Sequence, residues 1–189
     1  YVSEKRALVR CLANNVSECI VYTWDHKSSQ SIWSGLRVLP IMNDEIQMFK
    51  ALIVVHKILQ EGHPIVLREA QAQINWLETG ARLSGNTPRN YGQLIQAYVS
   101  FIHAKLRFHR VHKEFNGLFE YEEYVSLKNI DNPDEGYETI IELMNLQDRI
   151  EKFQHLVFST LRGRAKECQI SSLDPLVKES YGIFKQTLI

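Results

Sequence analysis

Between positions 103 and 113 the chain carries His103, Lys105, Arg107, His109, Arg110, His112 and Lys113. His109 and His112 share a face if this segment is helical, and such a pair can hold a transition metal when a carboxylate or thiol completes the set. None stands within the run, so it reads as a basic helix face, with Lys105, Arg107, Arg110 and Lys113 as a secondary basic patch. The patch could face an anionic membrane, the acidic segment of a neighbouring copy, or water. Glu122 and Glu123 are adjacent, and neighbours on a regular element point in different directions, so they do not form a general acid and base pair by themselves. They read as a solvated or partner-facing acidic patch. G-x-S-x-G, a Walker loop, G-x-G-x-x-G and H-E-x-x-H are all absent from the sequence. No catalytic residue and no metal set is expected.

The elements that must position these residues are helical. Apolar residues recur at Ile46, Phe49, Leu52, Ile53, His56 and Leu59, and the stripe is wide enough to require neighbours on more than one side. His56 lies on it and is expected to be a hydrogen-bonded core histidine. Gly62 ends this helix and Pro64 begins the next. Leu94, Ile95, Tyr98, Ile102 and Leu106 mark a helix from Tyr91 to about His112. Asn132, Pro133, Asp134 and Glu135 form a start signal of cap, proline and acids, followed by Ile140, Leu143, Met144, Ile150, Phe153, Val157 and Leu161. Asp174-Pro175 repeats the signal ahead of Leu176, Val177, Tyr181, Phe184 and Leu188 on one face. Trp24, Trp33 and Trp76 are dispersed and read as packing residues. Short turns join the helices, with no hairpin signal, linker or fixed-period repeat, so the fold class is an all-α domain in which each helix packs on those around it.

The 189 residues hold 22 Lys+Arg and 22 Asp+Glu, which excludes a uniformly basic nucleic-acid binder. The charge is segregated along the chain. Residues 1–113 carry 14 basic and 8 acidic side chains, residues 114–151 carry 2 and 11, and residues 152–189 carry 6 and 3. One face is therefore suited to an anion and an acidic one to protein. The longest aliphatic run, Ala51 to Val55, is far short of a membrane span. Cys11, Cys19 and Cys168 offer neither a disulfide framework nor a zinc site, which reads as a reducing, cytosolic setting. The chain opens at Tyr1, and the expectation is one domain over 1–189 excised from something longer.

Four stretches carry a resemblance. Cys19 to Ser29 (CIVYTWDHKSS), Phe49 to Pro64 with its VHKILQEGHP, Phe119 to Leu127 (FEYEEYVSL) and Asp134 to Thr139 (DEGYET) closely resemble, in order, the ANTH domain of the fungal Sla/End adaptors. These are counterparts of the animal huntingtin-interacting-protein-related group. The resemblance implies a right-handed helical solenoid of roughly eight to ten helices, no cofactor and no catalysis. It also implies binding to phosphatidylinositol 4,5-bisphosphate at plasma-membrane endocytic sites and actin patches, in clathrin-mediated endocytosis. Co-assembly with the ENTH domain of epsins is implied as well, with clathrin and actin reached through regions outside this chain. A lipid-dependent oligomer is left open.

In that family a first-helix basic residue and a Lys/Arg-rich cluster about ten positions on supply the headgroup donors. Several cationic donors must converge on a headgroup with two or more phosphates, and exposed contacts of this kind weaken with salt. By resemblance Lys5, Arg6 and Arg10 supply the first part, with Lys27 as a further candidate. Where the cluster should end, before Val16, the sequence reads Leu12-Ala13-Asn14-Asn15. Either the loop between the first two helices is lost, or a basic loop belongs between Asn15 and Val16 outside this sequence; the second is the expectation. The alternative function is a helical solenoid without lipid specificity that uses its acidic 114–151 segment to bind a basic partner.

Overall fold

The computed structural model describes residues 16–84, 91–120, 133–161 and 166–187. Among them are the α-helices α1 (Val16–His26), α2 (Gln30–Val38), α3 (Glu45–Glu61), α4 (Ile65–Ala70), α5 (Ile74–Ser84), α6 (Tyr91–Val111), α7 (Pro133–Thr160), α8 (Lys166–Ser171) and α9 (Leu173–Thr187). Short 3-10 turns at Ile41–Asn43 and Gln71–Gln73 join some of them, and the described residues contain no strand. The all-α expectation holds, with two of the helices only six residues long.

Local chemistry sets the boundaries. Asp44 caps α3 by accepting from the Ile46 and Gln47 N–H groups at 2.8 and 3.3 Å, satisfying donors the first helical turn leaves free. Gly62 closes α3 with its N–H on the Ile58 carbonyl at 2.9 Å. Pro64, expected to begin α4, stands immediately before it at the cap position. Pro133 is the first residue of α7, while the cap expected from Asn132 lies outside the described residues.

Helix α6 is the axis of the domain, packed against α3, α5 and α7. Helix α3 packs in turn on α1 and α9, and α7 on α9. Phe49 on α3, Tyr98 on α6 and Phe153 on α7 are all buried, with ring centroids 4.8–6.5 Å apart, and form the seam where these three helices meet.

Three expectations about packing change. Trp24 is 52 % exposed and its indole donates to the Glu61 carbonyl at 2.9 Å, so it ties α1 to the end of α3 rather than filling the core. On α7, Leu143, Ile150, Phe153 and Val157 are buried as the stripe requires, but Met144 lies open and Leu146 takes its place inside. On α9 the buried face is Leu176, Glu179, Gly182, Ile183 and Gln186, leaving Val177, Tyr181 and Phe184 exposed.

Candidate functional site

Of the residues assigned to the headgroup, Lys5, Arg6 and Arg10 lie outside the described residues, as does the Asn15 side of the expected insertion. Lys27 is described and exposed. It ends α1 with φ 47, the left-handed conformation that turns the chain into α2. Glu69 from α4 holds the corner that follows. It accepts from the Ser29 N–H at 2.6 Å, the Ser29 hydroxyl at 2.7 Å and the Ser28 hydroxyl at 3.1 Å. Burial opposes its ionisation, but the bonds from Ser29 and Ser28 outweigh this and hold the carboxyl below its ordinary value. Trp33 donates to the Ser29 hydroxyl at 3.1 Å, joining the corner to α2. The CIVYTWDHKSS stretch thus presents Lys27 on a rigid turn.

The secondary basic patch needs a correction. Lys105 is fully buried, its ammonium bonded to Glu179 Oε1 at 2.5 Å and to the Gly117 carbonyl. It also lies 4.3 Å from the centroid of the Phe119 ring. The helical phase explains this: Tyr98, Phe101, Ile102, Lys105 and His109 share the stripe of α6 that faces the core, and all are buried. A lysine in an apolar stripe signals a buried anion elsewhere. Here it is Glu179, whose Oε1 also accepts from His56 Nε2 at 2.8 Å and Gln60 Nε2 at 2.8 Å. Burial opposes ionisation of Glu179, yet the charges and hydrogen bonds of His56 and Lys105 hold it down to about 2. Burial pushes the His56 imidazole below its ordinary value, more than Glu179 raises it. At neutral pH His56 is therefore uncharged, Nε2–H donating to Glu179 and Nδ1 accepting from the Tyr98 hydroxyl at 2.9 Å, and its charge bears on Glu179 only at the acid pH where the imidazole protonates. The expected hydrogen-bonded core histidine is found, as part of a knot that binds α3, α6 and α9.

Arg107, Arg110 and Lys113 remain exposed. His109 stacks on Phe119 inside the protein, whereas His112 faces Glu114 and Glu142, so the two imidazoles do not converge. Among the described residues no three His, Cys, Asp or Glu side chains group as metal ligands.

Arg107 belongs to a different constellation from the one its own helix suggests. A groove of about 530 Å³ runs between α6 and α7, lined by Arg107 from one side and by Arg149 and Lys152 from the other. Arg149 is fastened across it, Nη1 donating to the Ser100 hydroxyl at 2.8 Å. Sequence reading missed this pair because Arg149 closes an acidic segment and Lys152 opens a basic one, although three-residue spacing puts them on one helix face. A second groove of about 610 Å³ lies between α7 and α9, apolar along Ile140, Met144, Val177, Tyr181 and Phe184.

Residues 13–188 match the family model of the ANTH domain. The chain belongs to the ANTH domain family. It is 51% identical over 175 residues to Protein SLA2 of Saccharomyces cerevisiae, covering 90% of this chain and 18% of that protein. It is 47% identical over 174 residues to Endocytosis protein end4 of Schizosaccharomyces pombe, covering 90% and 16%. The ANTH chain thus spans less than a fifth of the length of these relatives. It is also similar to a solved structure described as the ENTH domain from epsin-2 in complex with phosphatidylinositol 4,5-bisphosphate, at 52% identity and a TM-score of 0.92. That match covers 100% of this chain and 79% of the other. Among the described residues no helix is long and apolar enough to cross a membrane.

Proposed function

We propose that this ANTH domain, as a single unit over 1–189 of a longer adaptor, binds phosphatidylinositol 4,5-bisphosphate at plasma-membrane sites of clathrin-mediated endocytosis. Lys5, Arg6 and Arg10 contact the headgroup, and Lys27 adds charge from the corner of α1 and α2. The observation that carries the reading is the match of 13–188 to the ANTH model together with 52% identity to a structure described with this lipid. The names of the two fungal relatives support the endocytic setting. In this role the domain is a peripheral, cytoplasmic, non-enzymatic module that co-assembles with epsin ENTH domains. Clathrin and actin at cortical patches are reached through parts of the adaptor outside this chain.

Co-sedimentation with vesicles that contain or lack the bisphosphorylated lipid tests it. Binding is expected only with the lipid, and Lys5→Glu, Arg6→Glu and Arg10→Glu together should weaken it at least about tenfold while helicity is retained. Equal binding to both vesicle types refutes lipid specificity. That outcome favours a second reading, in which the acidic 114–151 segment receives a basic protein partner. Its support is the exposed acidic start of α7, where Glu135, Glu138 and Glu142 face solvent.

A further inference from the structure

The groove between α6 and α7 has the makings of an anion site that family membership does not assign. Arg107, Arg149 and Lys152 line it together with the carboxylates Glu142 and Asp148 and the amide of Asn145. The two carboxylates are not equivalent. Glu142 already accepts from His112 Nε2 at 2.9 Å, so one of its oxygens is turned to a partner outside the cationic set. Asp148 is exposed and is the remaining countercharge. Among the described residues neither Arg107 nor Lys152 takes part in an ion pair. Arg149 is aimed by its bond to Ser100, so one guanidinium fork is oriented before any ligand arrives.

Three cations on facing helices, one of them fixed, suit an anion with several acceptor oxygens and more than one charge. A phosphomonoester meets both needs, because its oxygens can take fork and ammonium donors at once. A single carboxylate does not, since it brings one charge and two oxygens to three donors. We propose that this groove binds a phosphomonoester group, carried either by a phosphorylated lipid headgroup or by a soluble inositol polyphosphate. The site lies on α6 and α7, involves none of Lys5, Arg6, Arg10 or Lys27, and does not depend on their lipid role.

The probe is inositol 1,4,5-trisphosphate, titrated into the isotope-labelled 189-residue chain and followed by amide chemical shifts. Saturable shifts are expected at 104–108 and 142–152. Arg107→Gln with Lys152→Gln should weaken binding at these amides about tenfold or more, since each loses a charge-assisted contact. Both side chains are exposed, so folding should be unaffected. Asp148→Asn should strengthen binding at the same amides severalfold, a gain that misfolding cannot produce. A second arm uses vesicles containing phosphatidylinositol 4,5-bisphosphate and the chain with Lys5, Arg6 and Arg10 reversed. If the groove variants weaken residual vesicle binding there, the source is lipid; if only the soluble titration responds, it is a free inositol phosphate. Shifts that bypass 104–108 and 142–152, or groove variants that titrate like the parent, overturn the proposal whatever the vesicles show.

Discussion

Replacing Glu179 by Gln keeps the shape of the side chain and an oxygen for His56, Gln60 and Lys105, but removes the negative charge that faces Lys105 in a fully buried position. Two routes give the size of the effect. Leaving a buried charge without its counter-ion costs about 3–5 kcal/mol. A carboxyl held at about 2 against an ordinary 4.5 corresponds to at most about 3 kcal/mol, an upper figure because part of that depression comes from a His56 charge absent at neutral pH. The two meet at a loss near 3 kcal/mol. In a domain of this size that is a fall in melting temperature of roughly 6–12 °C. Urea unfolding at pH 7, followed by far-UV circular dichroism, measures it directly.

The pH profile supplies a second readout. The depressed carboxyl of Glu179 stabilises the fold fully above 4.5, and this contribution is lost as the pH falls from there through about 2. His56 is neutral in the fold with a lowered value, so the unfolded chain takes up its proton first as the pH drops below 6.5, and stability falls there too. Glu179→Gln should abolish the lower decline and deepen the upper one, because the charge that raises the His56 value is gone. Lys105→Met combined with Glu179→Leu should cost less than the single Glu179→Gln, an apolar pair leaving no buried charge behind. A single-variant cost below about 1 kcal/mol, or costs that simply add in the double variant, would refute the reasoning.

Two further substitutions test the packing that holds this knot in place. A Cβ at Gly117 would stand 2.6 Å from the Gln60 carbonyl oxygen and 2.8 Å from its Cα, in the backbone of the buried helix α3, so Gly117→Ala should lower stability by about 2–3 kcal/mol in urea unfolding. Gly136, inside the first turns of α7, has nothing within 4 Å of the same added atom. Gly136→Ala should therefore raise stability by about 0.5–1 kcal/mol in the same assay, through helix propensity alone.

Helix spans were legible because cap, proline and periodicity act locally. Gly62, Pro64 and Pro133 each mark a boundary through groups within four residues of themselves, and the structure sets each at or within one residue of a helix end, while Asp44 caps α3 by the same local chemistry without having been singled out in the sequence. The facing of α9 was not legible on the same grounds. Its apolar residues Val177, Tyr181 and Phe184 make a convincing stripe, yet the helix turns the face bearing Glu179 inward. What decides the matter is Lys105, 74 residues away, because a buried ammonium requires the carboxylate and a short-range pattern cannot register that requirement.

The charge pattern fails and succeeds for one physical reason. Lys105 and Arg107 are two positions apart, about 200° around a helix, so a run that looks uniform along the chain is divided between core and solvent. The reverse holds for Arg107, Arg149 and Lys152, far apart in sequence and brought to one groove by the packing of α6 on α7. Counting charge by segment placed Arg149 in an acidic stretch and Lys105 on a basic face. Counting by helix face puts Lys105 with Glu179, where it fixes the fold, and leaves Arg107 with Arg149 and Lys152, where cationic donors are available to a ligand. Only the second kind of residue offers cationic donors at the surface, and in the α6 and α7 groove three of them stand together beside Glu142 and Asp148.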